Sequence, residues 1–475
     1  MKLYNFPLFL LFYHNVFACT TIIVGRGAST DHSIMIARNV DSLSNKPVHF
    51  IYHPKSYNKN YIYSSLQNNF KYKMPTNLLG YSGIPDPNIL NNKFFEEAGF
   101  NDLGIAVSGT ETISSNRDTL KRDPYNKISG IKEDAIPSIL LPQIKSAKDG
   151  VILLGNIIEK YGSGEGFGVA FADQNEAWYL ENAGGHSWVA VRIPDNMYFV
   201  SANQGRISQI NINDRQNVLV SSNIAKESTN VINFYKCYTA NSPEDINYNY
   251  YRVWSLQKLY TPSFKNNLSG NFPVFLKPDH LISTKLVESG LRLYYHGTKY
   301  DPYTSTNLKT KYRPVAVFRT QESHILKLRN NLPITIANTV YLSLGMTNLS
   351  IYIPFYYGAD IPEEYKTGDF FADNISAFWR FRKLQILVMH NFKDYAPIVE
   401  DAYAKLSDQI SNEEIIFEKK YLVTYSHNKI QAQIELNNFT KHIVTEVFTE
   451  TDHLTNQIMT LDGVKINKQY LFYGN

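Results

Sequence analysis

Cys19 is one of only two cysteines in 475 residues, and the segment before it gives it a chemistry that Cys237 lacks. That segment, MKLYNFPLFLLFYHNVFA, carries a basic residue (Lys2), an apolar run from Phe6 to Tyr13, and Val16 and Ala18 at the small-residue positions of a cleavage site. This layout predicts a signal peptide or short propeptide over residues 1–18. The run is too short to span a bilayer, which takes about 20 apolar residues. A cut after Ala18 leaves Cys19 with a thiol and a free α-amine on one amino acid. Their reference pKa values are about 8.5 and about 7.7–8.0, so near neutral pH the amine can accept the thiol proton and act as the base of a covalent nucleophile. No histidine is required. The competing chemistry is lipid attachment at Cys19, giving an anchored binding protein, but Phe17 fits such a motif poorly.

A thiol of this kind needs a cation beside the sulfur, an acceptor for the amine, and donors for the oxyanion of a tetrahedral intermediate. ARNVD offers the first two in four residues, as Arg38 and Asp41. On a strand, Arg38 and Val40 share one face while Asn39 and Asp41 share the other. Convergence of Arg38 and Asp41 on Cys19 therefore calls for a bend or bulge at the strand end. The alternative is a surface ion pair at a hairpin exit. Rival sites are weaker. No His-Glu-x-x-His occurs among the twelve histidines, so a zinc peptidase is not indicated. Cys237, in FYKCYTA, reads as a small buried hydrophobe, and His186 and His324 as satisfied structural histidines. The glycines of GSGEGFG (162–168) precede a strand rather than a helix, which argues against a phosphate cradle.

The elements that must hold these residues read as strands first and helices last. CTTIIVG and SIMIARN, separated by the turn RGASTDHS, predict a β-hairpin ending near Arg38. Residues 44–95, rich in Asn, Tyr, Lys and Pro, predict a long irregular surface insertion. FNDLGIAVSGTETI is a further strand candidate, and the stretch from DAIPSILL to IIEKYG predicts two helical pieces. GFGVAFAD, EAWYLEN, HSWVAVRIP and MYFVSAN predict a four-stranded antiparallel meander. From about residue 363 onward the pattern is mainly helical. Separate strand and helix blocks give an α+β class with helices over stacked sheets.

Composition narrows the partners. Lys+Arg 47 against Asp+Glu 43 leaves a net charge of +4, too small a surplus for a nucleic-acid surface. An apolar share of 43% with 34 Tyr and 27 Phe excludes disorder. No later run is long and apolar enough to span a membrane.

The opening ACTTIIVGRGASTDHSIMIARNVDS resembles that of the cysteine-type dipeptidases of the N-terminal-nucleophile (Ntn) hydrolases. It is similar, more distantly, to the bile-salt hydrolase and penicillin V acylase branch. FNDLGIAVSGTETI, EAWYLENAGGHSWVAVRIPDNMYFVSANQGRI, LKPDHLISTKLVESGLRLYYHGTKYD, FRTQESHILKLRNNLP and SIYIPFYYGADIPEEY resemble further family blocks in the same order. Asp102 stands where the family usually has Glu, and GSGEGFG departs from the family's loop.

The resemblance implies an αββα sandwich over 19–475, acting without a cofactor or metal on small peptide substrates, with homo-oligomers allowed. It implies Cys19 as nucleophile with its α-amine as base, Arg38 beside the thiol, Asp41 on the amine and Asn203 as an oxyanion donor. Glu111 falls where the acylases have an active-site side chain, and a carboxylate there would suit a substrate's free ammonium. A leader of this type implies a secreted, periplasmic or lumenal protein. A non-peptide amide acylase on the same fold is the alternative activity.

Overall fold

β1 (Thr20–Val24) and β2 (Ile34–Asp41) form the expected hairpin, with Thr21 opposite Arg38 and Val24 opposite Met35. Both strands are buried on both faces. Ile23, Ile34 and Ile36 point into the core between the two sheets, while Ile22, Val24, Met35 and Ala37 point into a second core under helices. The alternation of side chains along a strand thus sends Arg38 to the inter-sheet side and Asp41 to the outer side. This computed structural model describes residues 19–470 apart from 87–93, 228–229, 241–244, 266–267, 269, 271 and 305–311. The leader lies outside the described residues.

The other large strands are β3 (Ile51–His53), β4 (Tyr81–Pro85), β5 (Glu96–Asn101), β6 (Ala106–Thr112), β7 (Phe167–Ala172), β8 (Ala177–Asn182), β9 (Trp188–Arg192), β10 (Tyr198–Ser201), β11 (Val218–Val220), β12 (Phe275–Leu276), β13 (Thr320–Leu328), β14 (Asn338–Leu344) and β15 (Ile353–Tyr356). They build two antiparallel sheets. One runs β12-β10-β1-β2-β13-β14-β15, and the other β11-β9-β8-β7-β6-β5-β4-β3. Helices α1 (Ile136–Leu140) and α2 (Ala147–Tyr161) cover the second sheet, where Val151, Leu154 and Ile158 meet Phe171, Trp178 and Leu180. Helices α3 (Tyr251–Tyr260) and α4 (Thr284–Leu291) cover the first. The order helix, sheet, sheet, helix is the expected αββα sandwich. The C-terminal part is helical as expected, with α5 (Ala377–Met389) and a long hairpin of α6 (Phe392–His427) and α7 (Lys429–Gln469). α5 and α7 pack on β14 and β15.

Three local expectations are corrected. The four-stranded meander divides between the sheets: β7, β8 and β9 are consecutive in one, but β10 crosses over and pairs with β1, Thr21 opposite Ser201. The crossing is held by contact with the β1 end, where the Gly25 N–H donates to Met197 O at 3.0 Å and the Gly27 N–H to Asp195 O at 2.6 Å. A Cβ on Gly25 would lie 2.5 Å from Pro194 O, so only glycine allows this approach. Residues 44–95 are not simply an irregular insertion. They supply β3 and β4 to the sheet, and the short strands between these two form an arm that buries Tyr63, Phe70 and Met74 in the core under α1 and α2. YSGIP (81–85) hides its strand character behind Gly and Pro; Gly83 lies opposite Gly99, a Cβ on Gly99 would run into Ser82 O, and one on Gly83 into the Glu96 carboxylate. FNDLGIAVSGTETI holds a turn, with Gly104 at φ 79° between β5 and β6.

Candidate active site

β1 begins immediately after Cys19, so the strand fixes the cysteine main chain and aims its side chain between the sheets. Arg38 Nη2 donates to Cys19 Sγ at 3.0 Å, and Arg38 Nη1 donates to Glu97 Oε2 at 2.9 Å. All three side chains are buried. Burial pushes the Cys19 thiol up to about 12; Arg38 opposes this, while Asp41, Glu97 and Glu133 add to it. Such a sulfur is inert without a base and a cation. Glu97 is likewise pushed up by burial against the pull of Arg38. Gly109, on β6, makes room for the guanidinium: a Cβ there would stand 3.5 Å from Arg38 Nη1. Gly109→Ala is therefore expected to stay active. Gly109→Val pushes a branched side chain at the guanidinium and is expected to cut turnover about tenfold, equivalent to about 1.4 kcal/mol. Steady-state rates of the two variants check this.

Asp41 approaches from the other face. Its Oδ1 accepts from Thr320 Oγ1 at 2.6 Å, and its Oδ2 pairs with Arg313. The irregularity the sequence called for lies in the partner strand, between Thr320 and Glu322 of β13, and not in β2. Arg38 and Asp41 need not meet. One reaches the sulfur across the inter-sheet face; the other lies on the outer face, close enough for its charge to raise the thiol.

Asn203 follows β10, the strand that crosses over to lie beside β1. Its Oδ1 accepts from Arg252 Nη2 at 3.0 Å. Arg252 Nη1 in turn donates to the Cys19 carbonyl at 2.6 Å and to Thr20 Oγ1 at 2.8 Å. One fully buried guanidinium thus fixes both the Cys19 main chain and the Asn203 amide. Burial, with Arg313 nearby, lowers Arg252 to about 9, still above neutrality. The sequence reading missed Arg252, Arg313, Glu97 and Glu133. A signal for Arg252 was present: a lone arginine inside the aromatic stretch YNYYRVW.

Glu111, on β6, is fully buried. Its Oε2 accepts from Tyr179 Oη at 2.8 Å, and its Oε1 has no hydrogen-bond partner. Burial pushes its carboxyl up. His324 lies on the strand position opposite Arg38, with Nε2 3.0 Å from Ser108 Oγ and Nδ1 3.0 Å from Glu322 Oε1. All three side chains are sealed, so this Ser-His-Glu chain bonds the two sheets together as a satisfied structural network. His186 contacts Asp123 at 2.8 Å. Cys237 is exposed, contrary to expectation. On its short helix Phe234 and Tyr238 turn inward and stack, which leaves Cys237 one position off the apolar face. Among the described residues, only Glu413, His442 and Glu446, on the α6–α7 hairpin, are grouped as metal ligands would be. No described helix is long and apolar enough to cross a membrane.

Residues 18–405 match peptidase family C69. The chain is 44% identical over 381 residues to a probable dipeptidase of Salmonella dublin, covering 78% of this chain and 87% of the relative. It is 33% identical to a probable dipeptidase of Latilactobacillus sakei, over 95% of this chain and 96% of that one. Dipeptidase A of Lactobacillus helveticus is 30% identical, over 82% and 85%. Among solved structures, a mutant of the conjugated bile acid hydrolase from Clostridium perfringens aligns with a TM-score of 0.29 at 12% identity, covering 69% of this chain and 89% of that one.

Proposed function

Because the chain belongs to peptidase family C69, whose members act on amide bonds, we propose that it hydrolyses dipeptides through an acyl-enzyme formed on Cys19. The α-amine freed by a cut after Ala18 takes the thiol proton. The sulfur attacks the peptide carbonyl carbon, and the proton passes to the leaving amine as the C–N bond breaks. Water, deprotonated by the same α-amine, then splits the thioester and regenerates the thiol.

The observation that carries this reading is the 3.0 Å contact from Arg38 Nη2 to Cys19 Sγ. A guanidinium held between that sulfur and Glu97 favours the thiolate in a site where burial opposes it. Asp41 orients the amine from the opposite face. Asn203 donates to the oxyanion through Nδ2, its Oδ1 being the end that accepts from Arg252. Residues 1–18 act as a signal peptide or short propeptide, and the mature protein works outside the cytoplasm or in a secretory lumen.

N-terminal sequencing of the secreted protein, followed by alkylation of Cys19 and assay on Gly-Leu beside an N-acyl amine, tests the scheme. Cys19 as first residue, loss of activity on alkylation and preference for Gly-Leu are expected. Asn203→Ala is expected to lose about 10²–10³ in kcat, the usual effect of deleting one oxyanion donor, while staying folded. Near-normal kcat in that variant removes Asn203 from the mechanism.

A further inference from the structure

One carboxylate beside the nucleophile has no counter-ion. Glu133 stands at the start of the 3-10 turn Glu133–Ala135, between β6 and α1, and is 6% exposed. Among the described residues it forms no ion pair, and its side chain accepts only a long 3.5 Å hydrogen bond from Thr112 Oγ1. The neighbouring cation is directed away from it: Lys132 Nζ reaches Glu165 Oε2 at 3.4 Å. Glu165 belongs to the GSGEGFG loop, and its Oε1 accepts the Glu133 N–H at 3.2 Å, so this loop fixes the turn that presents Glu133.

Glu133 is close enough for its charge to act on both Cys19 and Arg38. Burial, Glu165, Glu97 and Glu111 all push it well above the usual carboxylate range, and only Arg38 opposes them strongly. Arg38 is already bonded to Glu97. Glu111 adds another buried carboxyl, its Oε1 without a hydrogen bond and the Thr21 and Thr110 hydroxyls nearby to favour its ionised form. Three buried carboxyls, with the nearby guanidinium already bonded to one of them, suit a cation that brings several donors, because its arrival draws them towards the ionised form that burial opposes. An α-ammonium brings three. In a dipeptide one Cα separates that nitrogen from the scissile carbonyl, so its receptor has to lie on the wall next to the thiol.

We infer that Glu133, backed by Glu97 and Glu111, receives the free α-ammonium of the substrate and restricts the enzyme to peptides with an unblocked N-terminus. This rests on the dipeptidase reading above. Glu111 supplies charge from behind, with its Oε2 held by Tyr179, and Glu133 makes the contact.

The test uses mature enzyme with Gly-Leu and N-acetyl-Gly-Leu as probes. Glu133→Gln is isosteric with the protonated carboxyl that burial favours in the empty site, so it is expected to fold. It should lower kcat/KM for Gly-Leu by about 30- to 100-fold, mostly through KM, the loss expected for one charge-assisted contact. Activity on N-acetyl-Gly-Leu should not fall, so the preference between the two probes shrinks by the same factor. Glu133→Asp should recover part of the preference, and Glu111→Gln should lose less than Glu133→Gln. Iodoacetamide labelling of Cys19 at an unchanged rate reports an intact site. An unchanged preference in a labelled, folded Glu133→Gln overturns the assignment, as does a larger effect at Glu111. If unmodified enzyme cleaves neither probe, the dipeptidase reading fails first and the inference with it.

Discussion

Chains that keep residues 1–18 are expected to hydrolyse dipeptides about 10³-fold more slowly than chains that begin at Cys19. In the uncut chain the Cys19 nitrogen belongs to an amide, which has no basic lone pair, so the thiol loses its proton acceptor. General-base assistance accounts for about 10²–10⁴ in rate, and the buried sulfur makes the dependence steep here. Burial raises the thiol even with Arg38 beside it, so little of it is ionised at neutral pH without a proton acceptor. Ala18→Pro, built to resist the cut, can be compared with a chain expressed from a Met placed directly before Cys19 and then trimmed. Intact mass identifies the first residue of each, and Gly-Leu hydrolysis gives the rates. The scheme fails if a preparation shown by mass to retain the leader turns over at the rate of the trimmed form. A diacylglycerol mass on Cys19 would instead support the lipid-anchored reading.

The parts of the site readable from sequence are those carried by one hairpin and one strand end. Cys19, Arg38 and Asp41 lie within 23 positions of one another, and strand alternation correctly puts Arg38 and Asp41 on opposite faces. Arg38 reaches the sulfur from the inter-sheet face and Asp41 lies on the outer face, without a bulge in β2. Arg252 left only the signal of a lone arginine in an aromatic stretch: it lies 233 positions from the Cys19 carbonyl it binds, and no local pattern encodes that pairing. Glu97 is 59 positions from Arg38, in a strand whose neighbours carry Gly and Pro. The crossing of β10 was hidden because a Pro-Asp-Asn turn inside a sheet reads like one between sheets. Gly25, packed on Pro194 O, is the residue that marks the difference. That crossing carries Asn203 to the end of β1 where Cys19 lies.

Arg38→Met is expected to lower kcat/KM by about 10²–10³ and to slow alkylation of Cys19 at pH 7. The sign follows from charge. Arg38 lowers the thiol against burial, so its removal moves the thiol further up and shrinks the thiolate fraction at any given pH. The alkylation profile should therefore shift to higher pH. Arg38→Met also leaves Glu97 buried without its guanidinium, and breaking a buried pair in this way costs about 3–5 kcal/mol. Loss of activity in that variant alone would not separate a chemical role from a damaged fold. Arg38→Met combined with Glu97→Gln does. With both charges gone the buried penalty is relieved, so the melting temperature should return towards that of the unmodified protein while alkylation and turnover stay depressed. A double variant that recovers turnover along with stability would reduce Arg38 to a support for Glu97. A double variant that is stable and still slow leaves the guanidinium acting on the sulfur, 3.0 Å away.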